Sequence, residues 1–324
     1  MSLETIFFAK GASYAAAASS HQGDETKIAI GSFTEHPAPN SVSIITAGPG
    51  SRKVSTFSTA YSPTKLLWSP EVHCTEMLAV SSNKISLWGE KQGAGFVQLG
   101  SLLPKPIGEN TGTLIHSFDW DPARTNSIIG AAGDCRCIVW DISYKAETAN
   151  IKAHYAAVYD VSYSADPNIF CTASEDTSLR IFDLRNYETS LLHYEDQDGN
   201  PLAKVKCNKK NKNYIAHLAL GTSTATITDI RMPMAPVLSL EMETTTSDIA
   251  WSPAAENLLA VSDKSQTKIW DLSREMPTRA HDSLYVYEHK MSRQNEQIQT
   301  LGWAAKHPDH ILVGTNRRVQ LFQI

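Results

Sequence analysis

The sequence predicts an all-β fold, a seven-bladed β-propeller in which four-stranded sheets are arranged around a central axis. Three observations predict it. A short motif that ends in an aromatic residue or a cysteine recurs at intervals of 43 to 52 residues, and repeats of roughly 40 to 50 residues are typical of propellers. Each copy is followed by short apolar runs separated by polar turns. One strand-like segment near the first residue is left over and can complete the last blade.

The recurring motif predicts the first strand of each blade. Its copies lie at residues 65–68, 117–120, 160–163, 204–207, 248–251 and 300–303. Second strands are predicted at 77–80, 127–130, 169–172, 214–217, 258–261 and 310–313. Third strands are predicted at 85–88, 137–141, 179–183, 225–229, 268–271 and 319–322. A weaker fourth strand follows most units, so each unit is predicted to be a four-stranded blade.

The two ends of the chain complete the ring. Segments before the first motif predict a further blade, and the last repeat stops after its third strand. The segment 4–9 is predicted to supply the missing strand, because an open sheet edge leaves backbone N–H and C=O groups unpaired. We therefore expect one domain over residues 1–324. Its blades are predicted at 12–60, 61–104, 113–152, 155–195, 201–241, 246–288 and, for the last, 297–324 plus 3–10.

Charge and composition narrow the range of functions. The formal net charge of −5 argues against a broad phosphate-binding surface, which requires clustered Lys and Arg. The one basic cluster, Lys209, Lys210 and Lys212, is typical of a solvated turn. No window approaches the ~20 apolar residues of a membrane span, and five cysteines without framework spacing favour a reducing setting. We expect no direct nucleic-acid partner and no membrane insertion.

Two tryptophans are predicted to be structural. Trp140 and Trp270 stand at the same phase of their repeats as Trp88, Phe182 and Phe322. An aromatic residue at this position is typical of packing between neighbouring propeller blades. We therefore predict that they form core rather than a stacking surface for a ligand.

Three polar residues of the fourth blade predict an internal hydrogen-bond network. His154 lies in the loop leading into the blade, and Ser174 and Asp176 follow its second strand. In this arrangement a buried His bridges a Ser and a turn Asp, although Phe182 lacks the indole N–H that would extend the network. A Ser-His-Asp nucleophile is the alternative, but no Gly-x-Ser-x-Gly elbow surrounds the serine. We predict a structural role.

Motifs for cofactors, metals and catalysis are missing from the sequence. Cys135 and Cys137 stand two residues apart, but no second Cys or His pair lies at ligand spacing, and zinc sites need three or four ligands. The chain has no Walker A loop, no Gly-x-Gly-x-x-Gly and no His-Glu-x-x-His motif. We therefore expect no cofactor, no metal and no enzymatic activity.

Two arginines follow the ends of third strands in consecutive blades. Arg185 and Arg231 occupy this position, where other blades carry Ser143 or Ser273. A guanidinium group there can form two in-plane hydrogen bonds to a partner's carboxylate. Packing of each arginine on the turn of the next blade is the alternative.

Ten phrases of the sequence, in order and over nearly its full length, resemble one family of WD40-repeat proteins. They are IAIGSFTE (28–35), PTKLLWSP (63–70), SFDW (117–120), IKAH (151–154), VYDV (158–161), IFDLR (181–185), PL (201–202), NK (208–209), DIR (229–231) and IAWSP (249–253). The family contains the plant TRANSPARENT TESTA GLABRA and anthocyanin regulators and their animal counterpart, a DDB–cullin-associated factor.

The resemblance implies a seven-bladed WD40 scaffold for other proteins. Plant members join MYB and helix-loop-helix transcription factors, and the animal member binds DYRK-type kinases and is linked to cullin ubiquitin ligases. The aromatic-Asp-x-Arg pattern of ligase receptors maps to Asp183 with Arg185 and to Asp229 with Arg231, although Thr228 replaces the second aromatic residue. The family carries charged residues where 155–158 reads YAAV, which implies a different partner preference.

The favoured function is a monomeric adaptor of the cytoplasm and nucleus that binds a kinase, a transcription regulator or a ubiquitin-ligase adaptor. Binding is expected on loops that a rigid scaffold presents. Strand phase places six candidate contacts at the rim of the channel, namely Lys65, Asp119, Tyr155, Tyr159, Asp160 and Glu175.

Two other functions stay open at this point. The first is a substrate receptor of a cullin-type ubiquitin ligase, in which Arg185 and Arg231 dock the ligase adaptor. The second is an enzyme that uses the central channel, for which the inner strands offer only Asp119, Asp160 and Asp248 from separate blades.

Overall fold

A computed structural model describes residues 4–8, 12–21, 25–34, 39–48, 51–70, 76–106, 113–123, 126–273, 285–290, 296–304 and 306–324. Within these ranges the strands form seven antiparallel four-stranded sheets, which are the blades of a propeller. None of these ranges contains a helix long and apolar enough to cross a membrane.

The blades follow one another along the chain. Blade 1 consists of β2 (Ala12–Ala18), β3 (Thr26–Phe33), β4 (Asn40–Gly48) and β5 (Ser51–Thr59). Blade 2 consists of β6 (Lys65–Trp68), β7 (Met77–Ser81), β8 (Ile85–Lys91) and β9 (Gly95–Leu102). Blade 3 consists of β10 (Ile115–Trp120), β11 (Ser127–Ala132), β12 (Arg136–Asp141) and β13 (Ala146–Lys152). Blade 4 consists of β14 (Val158–Tyr163), β15 (Ile169–Ser174), β16 (Ser178–Asp183) and β17 (Asn186–Glu195). Blade 5 consists of β18 (Leu202–Cys207), β19 (Tyr214–Ala219), β20 (Thr224–Asp229) and β21 (Pro236–Glu241). Blade 6 consists of β22 (Thr246–Trp251), β23 (Leu258–Asp263), β24 (Gln266–Asp271) and β25 (Tyr285–Lys290), and blade 7 of β26 (Ile298–Trp303), β27 (His310–Thr315), β28 (Arg318–Gln323) and β1 (Glu4–Phe8).

The blades form a closed ring. The innermost strands contact one another in the cyclic order β2, β6, β10, β14, β18, β22, β26 and back to β2. β1 completes blade 7 by pairing with β28, with Glu4 opposite Leu321 and Phe8 opposite Arg318. The predicted seven-bladed fold, including closure of the last blade by the N-terminal strand, is therefore confirmed.

Burial differs between the middle and outer strands because each blade is packed between two others. In β11 and β15 every residue after the first is buried, so these segments are predominantly apolar in the sequence and do not alternate. The outer strand β13 alternates between exposed and partly buried residues over most of its length. This exposure explains why the fourth strands have the weaker sequence pattern.

The ring has two faces with different loops. The top face carries the loops that lead into the inner strands and the turns between second and third strands, so it presents Tyr155 and Glu175. The bottom face carries the turns between first and second and between third and fourth strands. It therefore presents Tyr144, Arg185 and Arg231.

The aromatic residues at the ends of third strands pack between blades. Trp140 and Trp270 are each 1% exposed. Trp140 lies in one apolar cluster with residues of blade 2, and Trp270 in one with residues of blade 5. Phe182 lies in the equivalent cluster between blades 3 and 4. The third strand of each of these blades therefore supplies the core of the interface with the preceding blade.

Blade 5 departs from this pattern because it has Thr228 at the aromatic position. Thr228, His193 of the neighbouring outer strand and His217 are all buried, and none of their side-chain N or O atoms has a hydrogen-bond partner in the described part of the chain. The ring centroids of His217 and Tyr194 lie 4.5 Å apart. Burial lowers the pKa of His217 to about 3, and charge on His193 adds to the lowering. Both imidazoles are therefore neutral in the folded protein.

Candidate functional site

The inner strands line the channel, which is the space that they enclose. In six blades a β-bulge interrupts the pairing of the first two strands, for example between Val158 and Asp160, and a bulge redirects the side chain that follows it. The residues after the bulge, with Lys65 at the same register in blade 2, form the upper tier: Ala15, Lys65, Ser117, Asp160, Lys204, Asp248 and Thr300. The residues two positions later form the lower tier: Ala17, Leu67, Asp119, Ser162, Lys206, Ala250 and Gly302.

Asp160 is the centre of the polar contacts in the channel and is 1% exposed. Its carboxylate accepts hydrogen bonds from the backbone N–H of Val205 at 3.1 Å and from the Lys206 ammonium group at 2.7 Å. Lys65 reaches it from blade 2 with its Nζ at 3.4 Å, and the Ser117 hydroxyl of blade 3 also donates to it. Asp160 therefore connects four blades.

The other two channel candidates are engaged in the same way. Asp119 accepts hydrogen bonds from the backbone N–H of Tyr163 at 2.8 Å and from the Lys209 ammonium group at 2.9 Å, while Lys65 also donates to Ser117 at 2.9 Å. Lys65, Asp119 and Asp160, which were predicted as partner contacts at the rim of the channel, thus have partners within the protein, and their role in binding another protein stays a prediction. Their register positions turn the side chains into the channel, where contacts within the protein hold them.

The channel carboxylates are poorly suited to proton transfer. Burial would raise the pKa of Asp160, but the ammonium groups of Lys206 and Lys65 hold it well below its usual range. Asp248 accepts a hydrogen bond from the backbone N–H of Leu301 at 2.9 Å. General acid–base catalysis needs a pKa near the working pH. These contacts therefore give no support to the alternative of an enzyme in the channel.

Two channel residues, Lys204 and Lys206, are absent from the sequence-based candidates. They stand at the phases of Asp160 and Ser162 in the preceding blade. The blade 5 motif ends in Cys207 rather than an aromatic residue, which makes it the weakest copy of the repeat. Aligning KVKC with DVSY would have placed both lysines in the channel.

His154 is 2% exposed and organises the top of blade 4. Its Nδ1–H donates to Asp176 at 2.9 Å, and the hydroxyl of Thr172 donates to its Nε2 at 2.7 Å. Burial lowers the pKa of His154 although Asp176 opposes the lowering, so the ring is neutral. The prediction that Ser174 takes part in this bridge is wrong. Ser174 lies at the end of β15, where its hydroxyl donates to the backbone carbonyl of Ala157 at 2.9 Å.

An exposed aromatic and acidic cluster lies above this network, and we call it the top cluster: Tyr155, Tyr159 and Glu175. Tyr155 is 82% exposed and its ring centre lies 5.3 Å from the Arg180 guanidinium carbon, a cation–π distance. Tyr159 is partly buried, and burial together with the charge of Glu175 raises its pKa. His116, whose ring centroid is 5.6 Å from that of Tyr159, extends the cluster onto blade 3. The structure thus brings together three of the six predicted contacts.

The predicted docking arginines lie exposed on the bottom face. Arg185 forms paired hydrogen bonds to Asp183 at 2.9 and 2.6 Å, and Arg231 repeats the geometry with Asp229 at 2.9 and 2.6 Å. The side chains of Arg185 and Arg231 are 64% and 66% exposed. Each guanidinium group is therefore fixed in direction by an acidic neighbour and keeps an open side toward solvent.

A groove of about 580 Å³ lies between blades 3 and 4 beside Arg185. Its lining includes Val139, Asp141, Thr148, Leu184 and Tyr187. A groove with mixed polar and apolar walls near an exposed cation can accept a side chain of a protein partner.

The two neighbouring cysteines have different environments. Cys137 is fully buried, and burial raises the pKa of its thiol. Cys135 lies in the preceding turn with a φ of 70°. Within the described ranges no group of three or more His, Cys, Asp and Glu side chains is placed to share a metal ion.

Known proteins share both the repeat and the full-length pattern. The family model described as "WD domain, G-beta repeat" matches residues 146–183, which include most of blade 4. A DDB1- and CUL4-associated factor 7 homolog of Dictyostelium discoideum is 30% identical over 305 residues, which cover 92% of this chain and 91% of that protein.

Two fungal proteins match less of their own length. A WD repeat-containing protein of Schizosaccharomyces pombe is 26% identical over 279 residues, covering 76% of this chain and 64% of that protein. A WD repeat-containing protein of Saccharomyces cerevisiae is 29% identical over 254 residues, covering 66% of this chain and 48% of that protein.

Proposed function

This chain belongs to the WD40-repeat family that includes the DDB1- and CUL4-associated factor 7 homolog, and from that premise we propose that it is a non-enzymatic adaptor that holds other proteins together. In this proposal the top cluster binds one partner, while the bottom face or blade edges bind another. The proposed partners are protein kinases and transcription regulators. The proposed regulators include MYB and helix-loop-helix transcription factors, the kinds that the sequence resemblance implies. The proposed setting is the cytoplasm and nucleus, and the proposed adaptor is a monomer.

The observation that carries the proposal is the contrast between engaged and exposed side chains within blade 4. Buried polar residues such as His154 and Asp160 have partners inside the protein. Tyr155 and Glu175 project from the same rigid blade into solvent. Aromatic residues at exposed positions are enriched in binding hot spots because they bury much area at low entropic cost.

A bridging experiment tests the adaptor function. Affinity capture with mass spectrometry from the native organism identifies the partners, and two of them are then purified. We expect one partner to retain the other on beads only when this protein is added. If each partner binds this protein but both never bind together, the adaptor function is contradicted.

The second candidate function is that of a substrate receptor for a cullin-type ubiquitin ligase. It is favoured by two adjacent blades that present the same Asp–Arg pair with an exposed arginine, one of them near the groove between blades 3 and 4. The name of the Dictyostelium relative associates that protein with DDB1 and CUL4. An arginine with an open side can bond a partner's carboxylate or carbonyl groups.

Charge-matched variants test this second candidate. Replacing Arg185 and Arg231 by Ala should abolish co-purification of the cullin adaptor protein, with little change in stability because solvent screens the ion pairs of exposed side chains. Replacing Lys210 and Lys212 by Ala removes the same charge from the same face and should leave co-purification intact. Equal binding by both double variants would remove the ligase candidate.

A further inference from the structure

Charged and small side chains are unevenly distributed between the blades that form the two tiers of the channel. We propose that the channel binds a carboxylate side chain from an acidic peptide segment of a partner protein, with Lys204 and Lys206 as the principal donors. This inference rests on the proposed adaptor function only in that the peptide belongs to a partner.

The channel holds more positive than negative charge. Four ammonium groups meet three carboxylates there, namely Lys65, Lys204, Lys206 and Lys209 against Asp119, Asp160 and Asp248. Among the side chains that the structure describes at these positions, one positive charge is left without a counterion. One bound carboxylate would neutralise it, and attraction is strengthened where protein walls lower the local dielectric.

The two lysines of blade 5 keep N–H groups that can donate to a ligand. The nearest carboxylate oxygen to Lys204 Nζ, on Asp248, is 3.9 Å away, and the Lys204 side chain is 39% exposed. Lys206 donates to Asp160 at 2.7 Å and keeps a 25% exposed side chain. Since an ammonium group has three N–H donors, both lysines can bond a further anion without breaking an existing contact.

The channel has room for a side chain beside blade 7. Blades 7 and 1 contribute only small residues to the two tiers, namely Thr300, Gly302, Ala15 and Ala17. A Cβ atom built on Gly302 would meet no heavy atom within 4 Å. Ala15 and Ala17 pack in the apolar cluster between blades 1 and 2, so the wall is open at Gly302 of blade 7 and charged along blades 2 to 6. An opening opposite charged groups fits one extended side chain with a terminal carboxylate.

Protonation of Lys65 gives the site a pH dependence. Burial lowers the pKa of Lys65 to about 8, and the charges of Lys206 and Lys204 add to the lowering while Asp160 and Asp119 oppose it. A bound carboxylate favours the charged form of Lys65. Affinity for the peptide should therefore fall as the pH rises through about 8.

The test uses two synthetic peptides and the full chain. Acetyl-Gly-Glu-Gly-Glu-Gly-amide and its Gln twin are titrated into protein whose lysines carry 13C at the ε position, and the Lys206 resonance is followed by NMR. We expect the Glu peptide to shift this resonance saturably and the Gln peptide to leave it in place. Lys204→Gln should weaken binding at least fivefold, whereas Lys210→Gln, an exposed lysine in a bottom-face turn, should have no effect.

A steric variant locates the ligand. Gly302→Leu fills the open wall without changing charge, so it should abolish binding of the Glu peptide while free acetate still shifts Lys206. The proposal is overturned if the twin peptides behave alike, if Lys210→Gln weakens binding as much as Lys204→Gln, or if acetate binds the unmodified protein and the peptide does not. Any of these results leaves the bridging experiment unaffected, so the two proposals fail separately.

Discussion

Blades 4 and 5 are neighbours built on the same repeat, and they treat buried polar groups in opposite ways. In blade 4 the ring of His154 is bonded at both nitrogens, and Phe182 fills the space toward blade 3. In blade 5 Thr228 stands at the aromatic position, and the buried ring of His217 has no hydrogen-bond partner in the described ranges. The buried imidazole of blade 4 is therefore fully hydrogen-bonded, whereas the buried polar side chains of blade 5 pack together without hydrogen bonds in the described part of the chain.

The bonded network of blade 4 lies directly beneath the exposed residues of the top cluster. The network of blade 4 fixes the turn that carries Tyr155 and Glu175, because Asp176 accepts a hydrogen bond from the backbone N–H of Tyr155 at 3.1 Å. A fixed platform lowers the entropic cost of binding. Blade 5 carries no exposed aromatic cluster of this kind on its top face within the described residues, and its contribution to the site is the pair of channel lysines.

Breaking the network of blade 4 should have the largest effect. Asp176→Ala removes the partner of His154, Ser178 and the Tyr155 backbone N–H together. Loss of a charged acceptor from a largely buried network costs about 3 kcal/mol. Chemical denaturation measures this change in the free energy of unfolding, and a loss below about 1 kcal/mol would show that the network is not needed for stability.

Acid should act mainly through the histidines of blade 5. The pKa of His217 is lowered to about 3 in the folded protein, whereas an unfolded His has a pKa of about 6.5. The unfolded chain therefore takes up a proton first, and the stability present above pH 6.5 is lost as the pH falls toward 3. Between pH 6.5 and 4.5 this group accounts for a loss of roughly 2.5 kcal/mol.

Removing the titrating group checks that assignment. In His217→Leu, urea denaturation at pH 6.5 and 4.5 should give a smaller difference in the free energy of unfolding than in the unmodified protein. The residual difference reports the other buried histidines, such as His154, whose pKa burial also lowers. An unchanged difference would contradict the assignment to His217.

A matched pair of threonines gives the sharpest contrast between the blades. Both Thr172 and Thr228 are fully buried, but within the described ranges only the Thr172 hydroxyl has hydrogen-bond partners, namely the ring of His154 and the backbone carbonyl of Arg180. Thr172→Val should destabilise the protein by about 1.5 kcal/mol, whereas Thr228→Val should stabilise it by about 0.5 to 1 kcal/mol, since it removes an unpaired polar group. The same sign for both variants in thermal unfolding would refute the comparison.

The fold could be predicted from the sequence because burial on both faces imposes a repeat of strands and turns. The β-bulges were not predicted, since they shift register by one residue without a signal in the apolar pattern. That shift turns the side chain of Asp160 toward Val205 and Lys206 of blade 5, contacts that the apolar pattern does not indicate. His154 and Asp176 follow from their loop positions, whereas the choice of Thr172 over Ser174 depends on how far the imidazole reaches along β15.

The most direct test of the account compares two equally exposed tyrosines. Tyr155 on the top face is 82% exposed and Tyr144 on the bottom face is 83% exposed, so replacing either by Ala should change the free energy of unfolding by less than about 0.5 kcal/mol. With a partner identified by affinity capture, the dissociation constants of both variants are measured by titration calorimetry. Tyr155→Ala should weaken binding at least tenfold and Tyr144→Ala less than twofold. Equal affinity of the two variants would contradict the claim that the exposed cluster of blade 4 is where this adaptor holds its partner.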